Sequence, residues 1–302
     1  MPGIEQKLGR VLIPMATPFR ANGRVDYGRA GQLAKMLLAR GRGDALVLAG
    51  TTGEFYALSD EERVRLFRAV KQAVGAKAPL VAGTGAASTQ QALALSKAAE
   101  RMGFAALLVV APYYSKATQE GLYRHFRAIA QAVKLPVLLY NIPLFAGVNI
   151  APETVGRLAR FRNIVGLKEE AGVNPTQTTE FLQRTPRGFA VYCGDDTMVL
   201  AVLAQGGVGC VSAGAHLVGD RMKEMIAHFL AGRVREAAEI HHRLFPLFQA
   251  FLGKGRVSPI PLCRDAVSLT WKDLGPPRLP LVGADAEEKR KLIAALKRLG
   301  RL

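Results

Sequence analysis

An α/β fold, a (β/α)8 barrel with a C-terminal helical domain, is predicted by three features of this sequence. Eight short apolar runs alternate with helix-length amphipathic stretches from Val11 to about Gly232, the pattern of a closed parallel barrel. No GxGxxG follows an early strand, which counts against the nearest alternative, an open doubly wound sheet. Past Gly232 the alternation stops and only helical periodicity remains. The expected division is therefore 1–232, a barrel carrying the active site, and 233–302, a helical domain serving as an oligomer contact or a buttress.

In chain order, Val11 to Thr17 reads as the first strand, and the segment from Asp26 to about Arg40 as a helix closing on Gly41. Ala45 to Ala49 is the second strand. Ser59-Asp60-Glu61-Glu62 then opens a helix with a capping serine and a glutamate at the third helical position, the spacing of a capping box. Leu80–Gly83, Ala106–Val110, Pro136–Tyr140, Ile164–Lys168, Phe189–Cys193 and Gly209–Ser212 supply six more strands. The tail reads as helices over Ala237–Phe251, Ile260–Leu269 and Ala286–Leu299.

Composition narrows the function classes. With 302 residues and 49% hydrophobic content, a large core is within reach. Cys193, Cys210 and Cys263 are odd in number and widely spaced; without a CxxC pair or metal-ligand spacing they fit a reducing, cytoplasmic setting. The N-terminus lacks the apolar core of a signal peptide, and no apolar run approaches a membrane span. The net charge of +17 raises nucleic-acid binding, but the basic residues are spread along helices such as Arg63-Val64-Arg65-Leu66-Phe67-Arg68. No binding motif accompanies them. Such a field instead suits an anionic small substrate; neither nucleic acid nor membrane is expected as a partner. The five histidines form no HxH or HExxH arrangement, and none is assigned a role.

Barrel enzymes place their chemistry at the C-terminal ends of the strands. Ile164-Val165-Gly166-Leu167 is an apolar run ending on Lys168, and a continuous run of this kind reads as a strand buried on both faces. Burial disfavours the ammonium form and lowers a lysine pKa from about 10.4 towards roughly 7 or 8. A neutral amine is a nucleophile that forms Schiff bases with carbonyl compounds. The alternative is that Lys168 lies past the sheet and reaches water. After the second strand, Gly50-Thr51-Thr52-Gly53-Glu54 combines a glycine-permitted tight turn with backbone N–H groups and two hydroxyls, a carboxylate-binding set or simply a capped turn. Tyr113 and Tyr114 follow the fourth strand and Tyr140 ends the fifth; strand-end tyrosines are commonly core residues, but near a lysine and two threonines they make a proton relay.

Gly50-Thr51-Thr52-Gly53-Glu54, Pro112-Tyr113-Tyr114, Tyr140-Asn141-Ile142-Pro143, Gly166-Leu167-Lys168-Glu169, Gly194-Asp195-Asp196 and Ser258-Pro259-Ile260-Pro261 stand in an order and spacing that resembles the dihydrodipicolinate synthase and N-acetylneuraminate lyase superfamily. The resemblance implies class I aldolase chemistry on pyruvate or another 2-oxo acid, without metal or organic cofactor, in a homotetramer built as a dimer of dimers or in a homodimer. It makes Lys168 the imine lysine, Tyr140 the general acid/base, Thr51 a proton relay, and Tyr114 a relay member reaching across a subunit interface. Thr52, with the backbone of Gly50 and Gly53, would hold the substrate carboxylate. Gly194, and the Val211 backbone beside the lysine, would complete the substrate site.

Departures from the pattern bear on the second substrate. Lysine-pathway synthases resemble one another in an arginine shortly after the Tyr-Asn-x-Pro motif, which clamps the carboxylate of aspartate semialdehyde by paired hydrogen bonds. Here Phe145 stands in its place. Phe55, Tyr56 and Ala87 likewise differ from the residues expected at the family's lysine-inhibition site, so no feedback inhibition by lysine is expected. Glu170 replaces the threonine found two residues after the lysine in sialic-acid lyases; it faces either the barrel mouth, favouring hydroxylated or cationic substrate groups, or solvent. Asp195 and Asp196 read as a helix N-cap rather than a metal site. The favoured expectation is a lyase or aldolase joining pyruvate to an aldehyde, with a 2-keto-3-deoxy sugar acid or related hydroxy-2-oxo acid as substrate. The alternatives are a 4-hydroxy-tetrahydrodipicolinate synthase using aspartate semialdehyde, an imine-based dehydratase or deaminase, and a non-catalytic binding barrel.

Overall fold

Parallel pairing of each strand with the next, and of the last with the first, closes the sheet into an eight-stranded barrel. The computed structural model describes residues 3–172 and 174–302; Met1 and Pro2, at the head of the segment read for a signal peptide, and Val173 lie outside the described residues. The strands are β1 (Val11–Pro14), β2 (Ala45–Leu48), β3 (Leu80–Gly83), β4 (Ala106–Val110), β5 (Val137–Asn141), β6 (Ile164–Glu169), β7 (Ala190–Cys193) and β8 (Gly209–Val211). Their Val, Leu and Ala side chains are buried almost without exception, as expected of strands with helices on one face and the barrel interior on the other.

The helices form where the sequence periodicity puts them. Asp26 caps Tyr27–Ala39, its side chain accepting from the Arg29 backbone N–H, and Ser59 with Glu62 forms the expected capping box on Asp60–Val74. After β8 come Ala215–Leu230, Val234–Ala250, Ile260–Thr270 and Ala286–Arg298. Among the described residues no helix is long and apolar enough to cross a membrane.

Several strand boundaries differ from expectation, all but the end of β1 by a single residue. β1 stops at Pro14 because the chain turns from the sheet to meet the C-terminal segment, where the Phe19 N–H donates to the Leu274 carbonyl. β5 begins at Val137 because Pro136 has no N–H to give to a ladder. Its far end runs one residue further than expected, to Asn141, which pairs in register with Glu169. Continuing the β5–β6 ladder past Lys168 fixes the direction in which that side chain points.

Candidate active site

Register brings the central pair together. Tyr140 on β5 lies opposite Lys168 on β6, and in-register neighbours of a parallel pair present their side chains to the same face. The Lys168 ammonium sits 4.0 Å from the centroid of the Tyr140 ring, and the lysine is only 5% exposed. This excludes the alternative in which Lys168 reaches water. Gly194, just past β7, makes room for it: a Cβ there would lie 2.7 Å from Lys168 Cε and 2.8 Å from Glu170 Cβ.

Glu170 faces the same cavity, as the two-residue strand period from Lys168 dictates. Its Oε2 is 2.7 Å from Lys168 Nζ and accepts a hydrogen bond from the Tyr140 hydroxyl at 2.6 Å. The Thr51 hydroxyl donates to the Tyr140 oxygen at 3.4 Å, extending the chain to the turn after β2. Burial raises the Tyr140 pKa and the Glu170 carboxylate adds to the effect, while Lys168 works against it. The expectation that burial would leave Lys168 partly neutral is corrected. Burial does act to lower its pKa, but the Glu170 carboxylate and the Tyr140 oxygen more than offset that, and the lysine is held above its ordinary range.

The turn after β2 is a short 3₁₀ segment, Thr51–Gly53, followed by Glu54 in the left-handed region at φ 55°. Gly53 admits a close approach of the β1 segment; a Cβ would lie 2.9 Å from the Met15 carbonyl oxygen. Glu54 and Arg264, both fully buried, form an ion pair of 3.1 Å. Arg264 also donates to the Thr17 carbonyl at 2.6 Å and to the Leu274 and Gly275 carbonyls at 3.0 Å each. One guanidinium thus ties the turn carrying Thr51 and Thr52 to the C-terminal helices. The C-terminal Ser258–Pro261 motif gave no hint of that pair.

Thr51, Thr52, Tyr140, Phe145, Lys168, Glu170, Gly194 and Val211 line one cavity of about 270 Å³. Gly50 and Gly53 lie behind it as the backbone of the turn. Tyr114 lies apart: it is 95% exposed, adopts a positive φ of 71° and is not part of the cavity lining. Tyr113 instead packs edge-on against Phe55 with ring centroids 5.8 Å apart. The N-cap expected at Asp195 and Asp196 is also corrected. The helix Val199–Ala204 is preceded by Met198 at its cap, while Asp195 Oδ1 accepts from the Thr197 N–H and hydroxyl within its own turn. Asp196 Oδ2 accepts from the Gly214 N–H at 2.8 Å, and its Oδ1 has no hydrogen-bond partner. Among the described residues no three His, Cys, Asp or Glu side chains are grouped to hold a metal ion.

Phe248, Phe251, Leu252 and Val257 form an outer wall of the cavity that sequence reading did not assign. Phe248 and Phe251 had only the apolar stripe of the helix expected over 237–251 as a signal, and Leu252 and Val257 follow that helix. Lys168 is the one cation among the described residues of the lining.

A (β/α)8 barrel with a buried lysine among a tyrosine, a threonine and a carboxylate at its C-terminal mouth defines a lyase of the class I, Schiff-base type. The family model described as the dihydrodipicolinate synthetase family matches residues 7–299. Two curated relatives named 4-hydroxy-tetrahydrodipicolinate synthase are similar along nearly their whole length. The protein from Moorella thermoacetica is 47% identical over 97% of this chain and 99% of its own, and that from Cyanothece sp. is 48% identical over the same shares. The crystal structure of the synthase from Cyanidioschyzon merolae with lysine bound superposes with a TM-score of 0.93 at 40% identity, covering 98% of this chain and 99% of that one. The chain belongs to the dihydrodipicolinate synthetase family.

Proposed function

We propose that this chain catalyses the 4-hydroxy-tetrahydrodipicolinate synthase reaction, condensing pyruvate with aspartate semialdehyde through an imine on Lys168. The observation that carries this is the 47% identity, over 97% of the chain, to a relative of that name. It displaces the 2-keto-3-deoxy sugar acid from first place among the substrates expected of the sequence. Lys168 attacks the keto carbon of pyruvate, and loss of water leaves a protonated imine that draws electrons from the methyl carbon. Thr52 and the turn amides around Gly50 and Gly53 hold the pyruvate carboxylate. Tyr140 and Thr51 carry protons to and from the carbinolamine and the new hydroxyl. Tyr114, exposed on one chain, completes that relay in a second copy, so the working form is a homodimer or a homotetramer. Val211 and Gly194 shape the wall beside the imine. Residues 1–232 act as the catalytic barrel and 233–302 as a helical domain, and the three cysteines, all free and buried, fit a cytoplasmic enzyme.

A second function, cleavage of a 2-keto-3-deoxy sugar acid or related hydroxy-2-oxo acid to pyruvate and an aldehyde, is favoured by one observation. No guanidinium faces the carboxylate that aspartate semialdehyde would bring: Phe145 stands there, and Lys168 is the sole cation of the described lining. Intact mass after incubation with pyruvate and borohydride, on wild type and on Lys168→Ala, tests the shared chemistry. One adduct per chain that vanishes in the variant is expected; no adduct on wild type refutes both functions. Two coupled assays then divide them. Condensation with aspartate semialdehyde is followed through dihydrodipicolinate reductase, and pyruvate release from 2-keto-3-deoxygluconate through lactate dehydrogenase. Turnover in the second alone overturns the synthase assignment.

A further inference from the structure

A lysine attacks a carbonyl only after giving up its ammonium proton, and here the cavity stabilises the charged form rather than removing it. The proton therefore needs an acceptor within reach. Glu170 Oε2, 2.7 Å from Nζ, is the carboxylate oxygen in contact with the amine. The Tyr140 hydroxyl donates to the same oxygen, so tyrosine and lysine share one acceptor. The backbone holds that acceptor in place from both sides. The Glu170 N–H donates to the Asn141 carbonyl at 3.0 Å, and the Gly194 N–H to the Glu169 carbonyl at 2.7 Å. Gly194 also leaves the space the carboxylate fills, since a Cβ there would lie 2.8 Å from Glu170 Oε2.

We propose that Glu170 is a catalytic acid/base of the imine chemistry, taking the ammonium proton of Lys168 and later a methyl proton of the bound pyruvate. This rests on the pyruvate-imine function above. In the first step the proton moves from Nζ to Oε2, leaving a neutral amine and a carboxylic acid. The amine's electron pair forms the bond to the keto carbon as the carbonyl π pair moves to oxygen, and one of the two protons left on the now cationic nitrogen passes through the Tyr140 hydroxyl to that oxygen, giving the neutral carbinolamine. Glu170 returns its proton to that hydroxyl as the C–O bond breaks; water leaves and the iminium forms. The carboxylate, now ionised again, removes a proton from the methyl carbon, two bonds from the imine nitrogen. The C–H electron pair becomes the enamine double bond, and the iminium π pair returns to nitrogen. Tyr140, held as a donor to the carboxylate, then serves the aldehyde oxygen when the enamine attacks.

The test is the exchange of the pyruvate methyl protons for deuterium, followed by NMR with no aldehyde present, in wild type, Glu170→Gln and Glu170→Ala. Borohydride trapping of the pyruvate adduct runs in parallel. Loss of a positioned base lowers exchange by about 100-fold or more in both variants, while long incubation still yields the Lys168 adduct, and added acetate restores exchange at least tenfold in Glu170→Ala. Thermal melts check that both variants fold. Exchange within about fivefold of wild type in either folded variant overturns the proposal. So does a loss in both that acetate leaves untouched, which would make Glu170 a positioning residue. Wild type giving no pyruvate adduct refutes the underlying function instead, and is told apart by that result alone.

Discussion

Replacing Arg264 by methionine removes the charge that faces Glu54 while roughly keeping the apolar stem. At 3.1 Å separation and an effective dielectric of about 20, the direct attraction is about 5 kcal/mol. Desolvation of both ions offsets much of this, so the figure bounds the loss rather than giving it. The variant also strands the Thr17 and Gly275 carbonyls that Arg264 satisfies and takes one of two donors from the Leu274 carbonyl, which keeps the Phe19 N–H. Breaking a buried pair from one side costs about 3–5 kcal/mol, and that is the loss expected for Arg264→Met in urea unfolding at pH 7. Burial already raises the Glu54 pKa against the pull of Arg264. Without the arginine the carboxyl takes up a proton on folding, so the destabilisation is smaller at pH 5 than at pH 8. Adding Glu54→Gln to Arg264→Met removes the orphaned charge and recovers part of the loss, leaving about 2 kcal/mol for the unsatisfied carbonyls. A single variant within 1 kcal/mol of wild type, or a double variant no more stable than the single one, refutes this account.

Three further outcomes can be checked. Gly194→Ala places a Cβ 2.7 Å from Lys168 Cε, so borohydride trapping of pyruvate falls at least tenfold while the melting temperature moves little; unchanged trapping removes Gly194 from the site. Phe145→Arg supplies the missing guanidinium, and the KM for aspartate semialdehyde falls at least fivefold at unchanged pyruvate KM; an unaltered KM means that the aldehyde's carboxylate binds elsewhere. Asp196, pushed up to about 7 mainly by burial and secondarily by Asp195 and Glu170, against the Gly214 hydrogen bond, makes folding pH-dependent. Its folded-state pKa exceeds the unfolded value, so its contribution is complete below about pH 4 and is lost as pH rises through about 7. Discounted for partial exposure, this amounts to about 2 kcal/mol; Asp196→Asn flattens the pH 5 to 8 stability slope by that amount, and an unchanged slope counts against it.

The barrel was legible because its signals are local. Eight apolar runs, a Ser59–Glu62 capping box and the end of alternation near Gly232 need no knowledge of distant contacts; the start of β5 moved because Pro136 has no N–H for the ladder, and β1 ended early where the chain turns away to the Phe19–Leu274 contact. Lys168, Tyr140, Thr51 and Thr52 were legible as candidates since they follow strands, and a barrel collects strand ends at one mouth. Arg264 was not: its ion pair with Glu54 spans most of the chain, and nothing in the helix Ile260–Thr270 distinguishes it from a surface arginine. The apolar wall of Phe248 and Phe251 was hidden for the same reason.

The state of Lys168 shows where sequence reasoning about a site stops. From the strand alone, burial is the visible influence, and burial alone drives a lysine towards neutrality. The carboxylate two residues on reverses that, and whether it does so depends on Glu170 being turned inward. The strand period allows this orientation; the ladder past Lys168 and the space at Gly194 secure it. An ion pair at an imine lysine would be a liability if the proton had nowhere useful to go, because the enzyme would rest with its nucleophile masked. It becomes an asset when the partner that masks the amine is also the group that must accept its proton, and when that group lies close enough to reach the methyl carbon next. The same 2.7 Å contact that keeps Lys168 charged in the resting enzyme thus gives the amine the shortest route to becoming a nucleophile.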